Sequence, residues 1–241
     1  MAILACSLFA SNHAVAEDAS AALSPDAVYD SFPTYSGTDL GLTVADGHAR
    51  FRLWSPKASA VRLYIYDNAN TSTPSETIEM QPADGGTWTA SLSPVPYGKF
   101  YTFSIQQDGK WLAETPGIWA KAVGVNGHRA AIIDFAATDP EGWKADKGPA
   151  TKAITDAVLY EMHHRDFSVH PSSGITNKGK FLALTEQATR SILGDKTGID
   201  HLKELGVTHV HILPSYDYNS VDETQAPLNQ YNWGYDPQNY N

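Results

Sequence analysis

The last eleven residues of the sequence gather side chains suited to one kind of chemistry. They read Tyr231-Asn232-Trp233-Gly234-Tyr235-Asp236-Pro237-Gln238-Asn239-Tyr240-Asn241, with three tyrosines, one tryptophan and three asparagines in a non-periodic stretch. Flat aromatic faces stack on the apolar faces of sugar rings, and Asn and Asp side chains hydrogen-bond hydroxyls. Ligand sites in general are apolar surfaces with a few placed polar groups. The same composition also suits a loop that only packs on its own domain. Two further aromatics, Trp54 and Trp88, lie in strand-like runs. They could form a sugar platform, but core packing is the expected role of strand aromatics.

Acid–base chemistry needs carboxyl groups whose environments push their pKa values apart. Glu161 and Asp166 flank a strand-like run, where carboxylates are commonly structural. Asp217, Asp222 and Glu223 fall in a polar stretch and are expected to be solvated. No pair among them has a claim to catalysis. His163, His164, His209 and His211 invite a metal, with His209 and His211 two apart on one strand face. No third ligand or supporting shell accompanies them, so no metal site is read. Cys6 is the single cysteine, so no disulfide can form within the chain.

These residues need elements to hold them. Between 41 and 135 the pattern is short strands separated by turn residues. Ala49, Phe51 and Leu53 share one strand face, and Val61, Leu63 and Ile65 repeat it. A short strand is expected over 77–80. Trp88, Ala90 and Leu92 follow an Asp84-Gly85-Gly86 turn, then Tyr101, Phe103 and Ile105. Asp108-Gly109 predicts a two-residue hairpin with a return strand over 110–113. Asn126-Gly127 precedes a last strand over 130–135. Such spacing indicates an antiparallel β-sandwich. After Pro140 the character changes. A connector leads to an apolar run over 157–160, which reads as a buried parallel strand. Ile199, Leu202 and Leu205 recur at helical spacing, with Gly206 placed for a C-terminal cap. A second strand follows over 207–213. Strand, helix, strand implies a parallel pair, the opening of an α/β domain.

Composition bounds the partners. Of 241 residues, 42% are hydrophobic, as in a folded globular protein. The 17 basic and 27 acidic residues give a formal net charge of −10. That surface repels phosphate backbones and argues against nucleic-acid binding. No run of about 20 apolar residues exists, so no membrane span is expected. Residues 1–16 are small and moderately apolar, and Ala14-Val15-Ala16 looks like a signal cleavage site lacking its basic n-region. A secreted, periplasmic or cell-surface protein is expected. Ile3-Leu4-Ala5-Cys6 loosely resembles a lipoprotein box, with Cys6 as the anchor.

The stretch YNWGYDP at 231–237 resembles the signature of the type I pullulanases, within the α-amylase superfamily. FRLWSP at 51–56 resembles the opening of that family's glycogen-binding-like β-sandwich module, and KAVGVNGHR at 121–129 its last segment. LYEMHHRDF at 159–167 is similar to the first barrel strand, and 198–214 to the next helix and strand. The resemblance spans 41–241. It implies a multidomain β plus α/β protein: a signal-peptide remnant over 1–16, a linker over 17–40, the sandwich over 41–138, a connector over 139–152, and the first part of a truncated (β/α)8 TIM barrel over 153–241. A whole barrel takes about 250 residues. The 89 residues from Ala153 onward hold roughly two strands, which would leave an unpaired sheet edge and a half-covered core.

What the resemblance implies about activity is hydrolysis of α-1,6 links in pullulan and branched α-glucans, by a retaining mechanism. The family's second signature tyrosine, here Tyr235, stacks against the sugar next to the scissile bond. Asp236 would help build that subsite, with Trp233 and Asn232 as adjacent contacts. The family's catalytic acids come from later barrel strands, so no catalytic residue is expected in this chain and it should be inactive alone. Retaining hydrolysis needs two carboxyl groups about 5–5.5 Å apart. The expected partner is an α-glucan. No cofactor is implied, and calcium stays open. Alternatives are a non-catalytic α-glucan-binding protein, or another branching or debranching enzyme of the superfamily. A structural module with no glycan role comes third.

Overall fold

The structure, a computed structural model, describes residues 30–150, 153–225 and 231–240. The expected leader over 1–16, with Cys6, lies outside the described residues, as does the first part of the 17–40 lead-in. Among the described residues no helix is long and apolar enough to cross a membrane.

The first half is two antiparallel sheets. One holds β1 (Gly41–Ala45), β2 (His48–Trp54), β5 (Gln81–Pro82) and β6 (Thr87–Leu92), in the order β1-β2-β6-β5. The other holds β3 (Ala60–Tyr66), β4 (Glu76–Glu79), β7 (Phe100–Gln107) and β8 (Lys110–Trp111), in the order β4-β3-β7-β8, with β9 (Ala130–Ala131) also paired to β7. Two tight hairpins fold this way for a local reason. Asp46-Gly47 and Asp108-Gly109 all take positive φ, the backbone that matches a two-residue turn to strand twist.

Alternation then builds the core. Val61, Leu63 and Ile65 stand opposite Ile105, Phe103 and Tyr101 on the neighbouring strand. Phe51 reaches across from the facing sheet and meets Tyr101 edge-on, with ring centroids 5.0 Å apart, and Phe103 at 6.4 Å. All three rings are about 1% exposed. Burying such a ring is worth about 1.5–3 kcal/mol, so this triad is a main cohesive element of the sandwich. Trp88 packs against the same core and donates to the Ser55 carbonyl at 3.1 Å. Trp54 donates to the Pro33 carbonyl at 3.0 Å.

Several expected bounds shift. The strand expected over 130–135 ends after Ala131, because the Asp134 carboxylate accepts the Ala136 N–H and opens a 3-10 turn, Phe135–Thr138. The return strand expected over 110–113 ends at Trp111, where the Ser104 hydroxyl takes the Leu112 carbonyl. The lead-in is fastened from Pro33 onward. The Arg52 guanidinium lies over the Tyr35 ring at 4.7 Å and donates to Asp39 at 3.0 Å.

The second half contains a parallel pair, β10 (Leu159–Met162) and β11 (His209–Ile212). Two helices lie between them in sequence, α1 (Asp166–Val169) and α2 (Gly198–Glu204). β10 starts two residues later than the apolar run suggests, because Thr208 takes Val158 first. The Val158 N–H donates to the Thr208 hydroxyl at 2.8 Å, and the Thr208 N–H donates to the Val158 carbonyl at 3.0 Å. α2 is closed as expected by Gly206, two residues past its last turn, whose φ of 75 lets Val207 N–H reach back to the Leu202 carbonyl. Leu202 is buried, while Leu205, expected on the same apolar face, is exposed. The buried parallel strand expected over 157–160 is exposed instead, with Leu159 at 71%. The physical reason is that the sheet has two strands among the described residues, so little covers its faces.

Candidate functional site

The C-terminal ends of the parallel strands deliver the site. β10 hands over to His163 and His164, and β11 to residues 213–218. The aromatic stretch 231–240 folds back across both. It has no regular hydrogen-bonded period, so side chains fix its shape. His163 is buried, and its Nε2 lies 2.8 Å from the Asn232 carbonyl. A carbonyl only accepts, so that ring nitrogen carries the proton. Asn232 Oδ1 accepts the Gly234 N–H at 2.6 Å, and Asn232 Nδ2 donates to Asp236 at 2.5 Å and to Ser220 at 2.8 Å. Asp236 accepts the Ser220 N–H at 3.1 Å, and its own carbonyl accepts the Asn219 N–H at 2.8 Å. Gly234 is required here: its φ is 91, and a Cβ would run into the Pro214 carbonyl.

This bracing decides which side chains remain available. Tyr235 is 69% and Trp233 64% exposed, while Asp236 and Asn232 are half-buried and engaged within the loop. The Ser220 and Asn232 hydrogen bonds hold the Asp236 carboxyl below its usual range. Asp236 therefore braces the loop that presents Tyr235.

A row of rings runs behind the loop. Trp233 meets Tyr231 edge-on at 5.8 Å, and Tyr231 lies 5.7 Å from His163. His163 stacks on His164 at 5.4 Å, and His164 on Phe181 at 4.6 Å. Burial, and then the neighbouring His163, push the His164 pKa down, so the ring stays neutral. His164 Nδ1 lies 2.7 Å from the Ser215 hydroxyl. Of this row His163, His164 and Phe181, together with Asp217, line an open cleft of about 710 Å³ between the sandwich segment 120–123 and the α/β unit.

The carboxylates are differently placed than their polar surroundings suggest. Asp222 and Glu223, expected to be solvated, both grip Asn126 of the sandwich. Asp217 is half-buried, its Oδ2 has no hydrogen-bond partner, and burial raises its pKa. Glu161 pairs with His211 at 3.3 Å across the strand register, and Asp166 with Arg165 at 2.6 Å. Among the described residues no three His, Cys, Asp or Glu side chains converge as a metal site would require. The role of Asn126 and of the ring row was not legible from the residues alone. The one hint was the KAVGVNGHR motif, whose polar tip has no strand period.

Residues 39–127 match Carbohydrate-binding module 48, the isoamylase N-terminal domain. Among curated relatives, the pullulanase of Bacillus subtilis is 38% identical over 211 residues, covering 88% of this chain and 28% of that protein. Pullulanase 1, chloroplastic, of Arabidopsis thaliana is 28% identical over 251 residues, covering 87% of this chain and 25% of that protein. Among solved structures, the pullulanase of Paenibacillus barengoltzii in complex with maltohexaose and α-cyclodextrin superposes with a TM-score of 0.83. It is 48% identical, and the match covers 90% of this chain and 33% of that one. The chain thus spans about a quarter to a third of the length of these relatives.

Proposed function

We propose that the chain belongs with the type I pullulanases, because residues 39–127 match a carbohydrate-binding module and most of the chain is similar to pullulanases, and that it carries a specific α-glucan site. Tyr235 is the stacking platform for a glucose ring. Trp233 flanks it, and Asp236 and Asn232 hold the loop in place. The parallel pair with α2 is the opening of a (β/α)8 barrel. The reaction this site serves is retaining hydrolysis of α-1,6 links in pullulan and branched α-glucans. An exported, periplasmic or cell-surface location belongs to the same proposal and rests on the Ala14-Val15-Ala16 pattern.

The observation that carries this reading is the contrast within one loop. Asn232, Gly234 and Asp236 are spent on internal bonds, while Tyr235 and Trp233 stand out from them. The proposal includes that these residues bind and do not cleave, and five of the six acids named above support it, Asp217 with its unpartnered Oδ2 being the exception. Glu161, Asp166, Asp222, Glu223 and Asp236 each have a structural partner.

The test is a titration of the chain with maltohexaose, followed by tryptophan fluorescence. Covering roughly 50 Å² of the Tyr235 ring at about 25 cal/mol per Å² is worth about 1.2 kcal/mol, or roughly eightfold in Kd. Tyr235→Ala should weaken binding by that factor. Equal affinity in the two proteins would sink the assignment. The chain should release no reducing sugar from pullulan, and measurable release would refute the non-cleaving part.

A further inference from the structure

The turn at Asn126-Gly127 belongs to the sandwich but reaches into the α/β unit. Both residues take positive φ, 56 and 64. Asn126 Nδ2 donates to Asp222 Oδ1 at 3.0 Å. The Asn126 N–H donates to Glu223 Oε2 at 2.7 Å, and the Glu223 N–H donates back to Asn126 Oδ1 at 2.8 Å. Next door, the Gly127 carbonyl accepts from Asn239 Nδ2 at 3.1 Å. This is a reciprocal grip across about a hundred residues of sequence, and it is anchored behind. Arg129 donates to the carbonyls of Asn68, Ala69 and Thr71, and its guanidinium lies 3.5 Å from the Tyr66 ring centroid.

The far side of the grip leads to the aromatic loop. Two residues before Asp222, the Ser220 N–H is held by the Asp236 carboxylate, and Asn232 holds both Ser220 and Asp236. The Gln238 N–H donates to the Asp217 carbonyl at 2.7 Å. The loop residues Trp233 and Tyr235 are mostly exposed, so little side-chain packing sets their position. Hydrogen bonds set it, and the sandwich supplies one end of the chain of bonds.

We propose that Asn126 is a positioning residue for Tyr235: the carbohydrate-binding module holds the aromatic sugar loop in register through Asn126, Asp222 and Glu223. The inference rests on the reading of Tyr235 as a sugar platform. It adds that the module acts on that platform mechanically, whatever sugar the module itself binds.

Asn126→Gly tests this cleanly. Glycine accepts the positive φ without strain and keeps the N–H to Glu223, so only the side-chain grip is lost. The full chain labelled with 5-fluorotryptophan gives a 19F signal for Trp233, assigned with Trp233→Phe. In Asn126→Gly that signal should shift or broaden, while those of Trp54 and Trp88 stay in place, and maltohexaose affinity should fall severalfold. Ile65→Val, which thins the sandwich core far from the grip, controls for plain loss of stability. It should lower the melting temperature and leave the Trp233 signal unmoved. An unmoved Trp233 signal in Asn126→Gly overturns the proposal. So does unchanged affinity in that variant when Tyr235→Ala weakens binding. If neither variant changes affinity, the sugar reading of Tyr235 fails instead, and the Trp233 signal alone decides the coupling.

Discussion

Arg129→Met should lower the stability of the sandwich by about 3 kcal/mol. The figure follows from what the guanidinium touches. It makes three hydrogen bonds, to the carbonyls of Asn68 at 3.1 Å, Ala69 at 3.0 Å and Thr71 at 2.5 Å. A fully buried bond from a charged donor is worth about 1.5–3 kcal/mol. These carbonyls lie on a partly exposed turn and regain water in the variant, so about 0.7 kcal/mol each is the better figure, or about 2 in all. The face-on contact with Tyr66 adds roughly 1 kcal/mol. Methionine keeps the aliphatic stem over the ring, so the comparison isolates the guanidinium. Arg129→Lys should lose about 2 kcal/mol, since one ammonium cannot span three carbonyls in the plane of a fork. Guanidinium chloride unfolding, read by tryptophan fluorescence at constant slope, gives both values. A loss below about 1 kcal/mol for Arg129→Met would show that the guanidinium is a solvated surface charge, and the pinning argument would fall.

Three other outcomes follow from single groups. Tyr66 donates to Glu114 at 2.6 Å, and its pKa is pushed up to about 12, first by burial and then by that carboxylate. A raised pKa favours the neutral phenol in the folded state, so its contribution is complete below pH 10 and lost as pH climbs towards 12. Urea midpoints across that window should fall less steeply in Tyr66→Phe, and parallel curves would refute the assignment. Asp217 has its pKa raised by burial and then by Glu223, so at neutral pH its charge opposes folding. Asp217→Asn should raise the melting temperature at pH 7, with a gain that fades as pH falls towards 3.8; a lower melting temperature at pH 7 would contradict this. Gly234→Ala forces φ 91 on a residue with a Cβ and drives that atom at the Pro214 carbonyl. It should cost about 1–2 kcal/mol in backbone strain alone and weaken maltohexaose binding, and normal binding would show that the loop tolerates displacement.

The sandwich was largely legible because its determinants are local. Alternation in 49–53, 61–65 and 101–105 places the core residues, and the Asp108-Gly109 pair forces a turn whatever surrounds it. Strand ends were less legible. They depend on which polar group captures a backbone partner first, as Asp134 does at β9 and Thr208 at β10. The α/β unit was legible in type but not in exposure, since burial of a strand depends on what lies across from it.

The site divides along the same line. The aromatic and amide content of 231–240, and the special backbone of Gly234, are written in the residue types themselves. The sequence alone therefore determined that a sugar-compatible loop follows a parallel strand. Only the tertiary structure decided which of its residues face outward. Asp236 and Tyr235 are neighbours of opposite fate, one drawn inward by Ser220 and Asn232, the other left exposed. The grip of Asn126 on Asp222 and Glu223 also belongs to the tertiary structure. Those residues are about a hundred positions apart, and their hydrogen bonds exist only once two separately patterned halves have folded against each other.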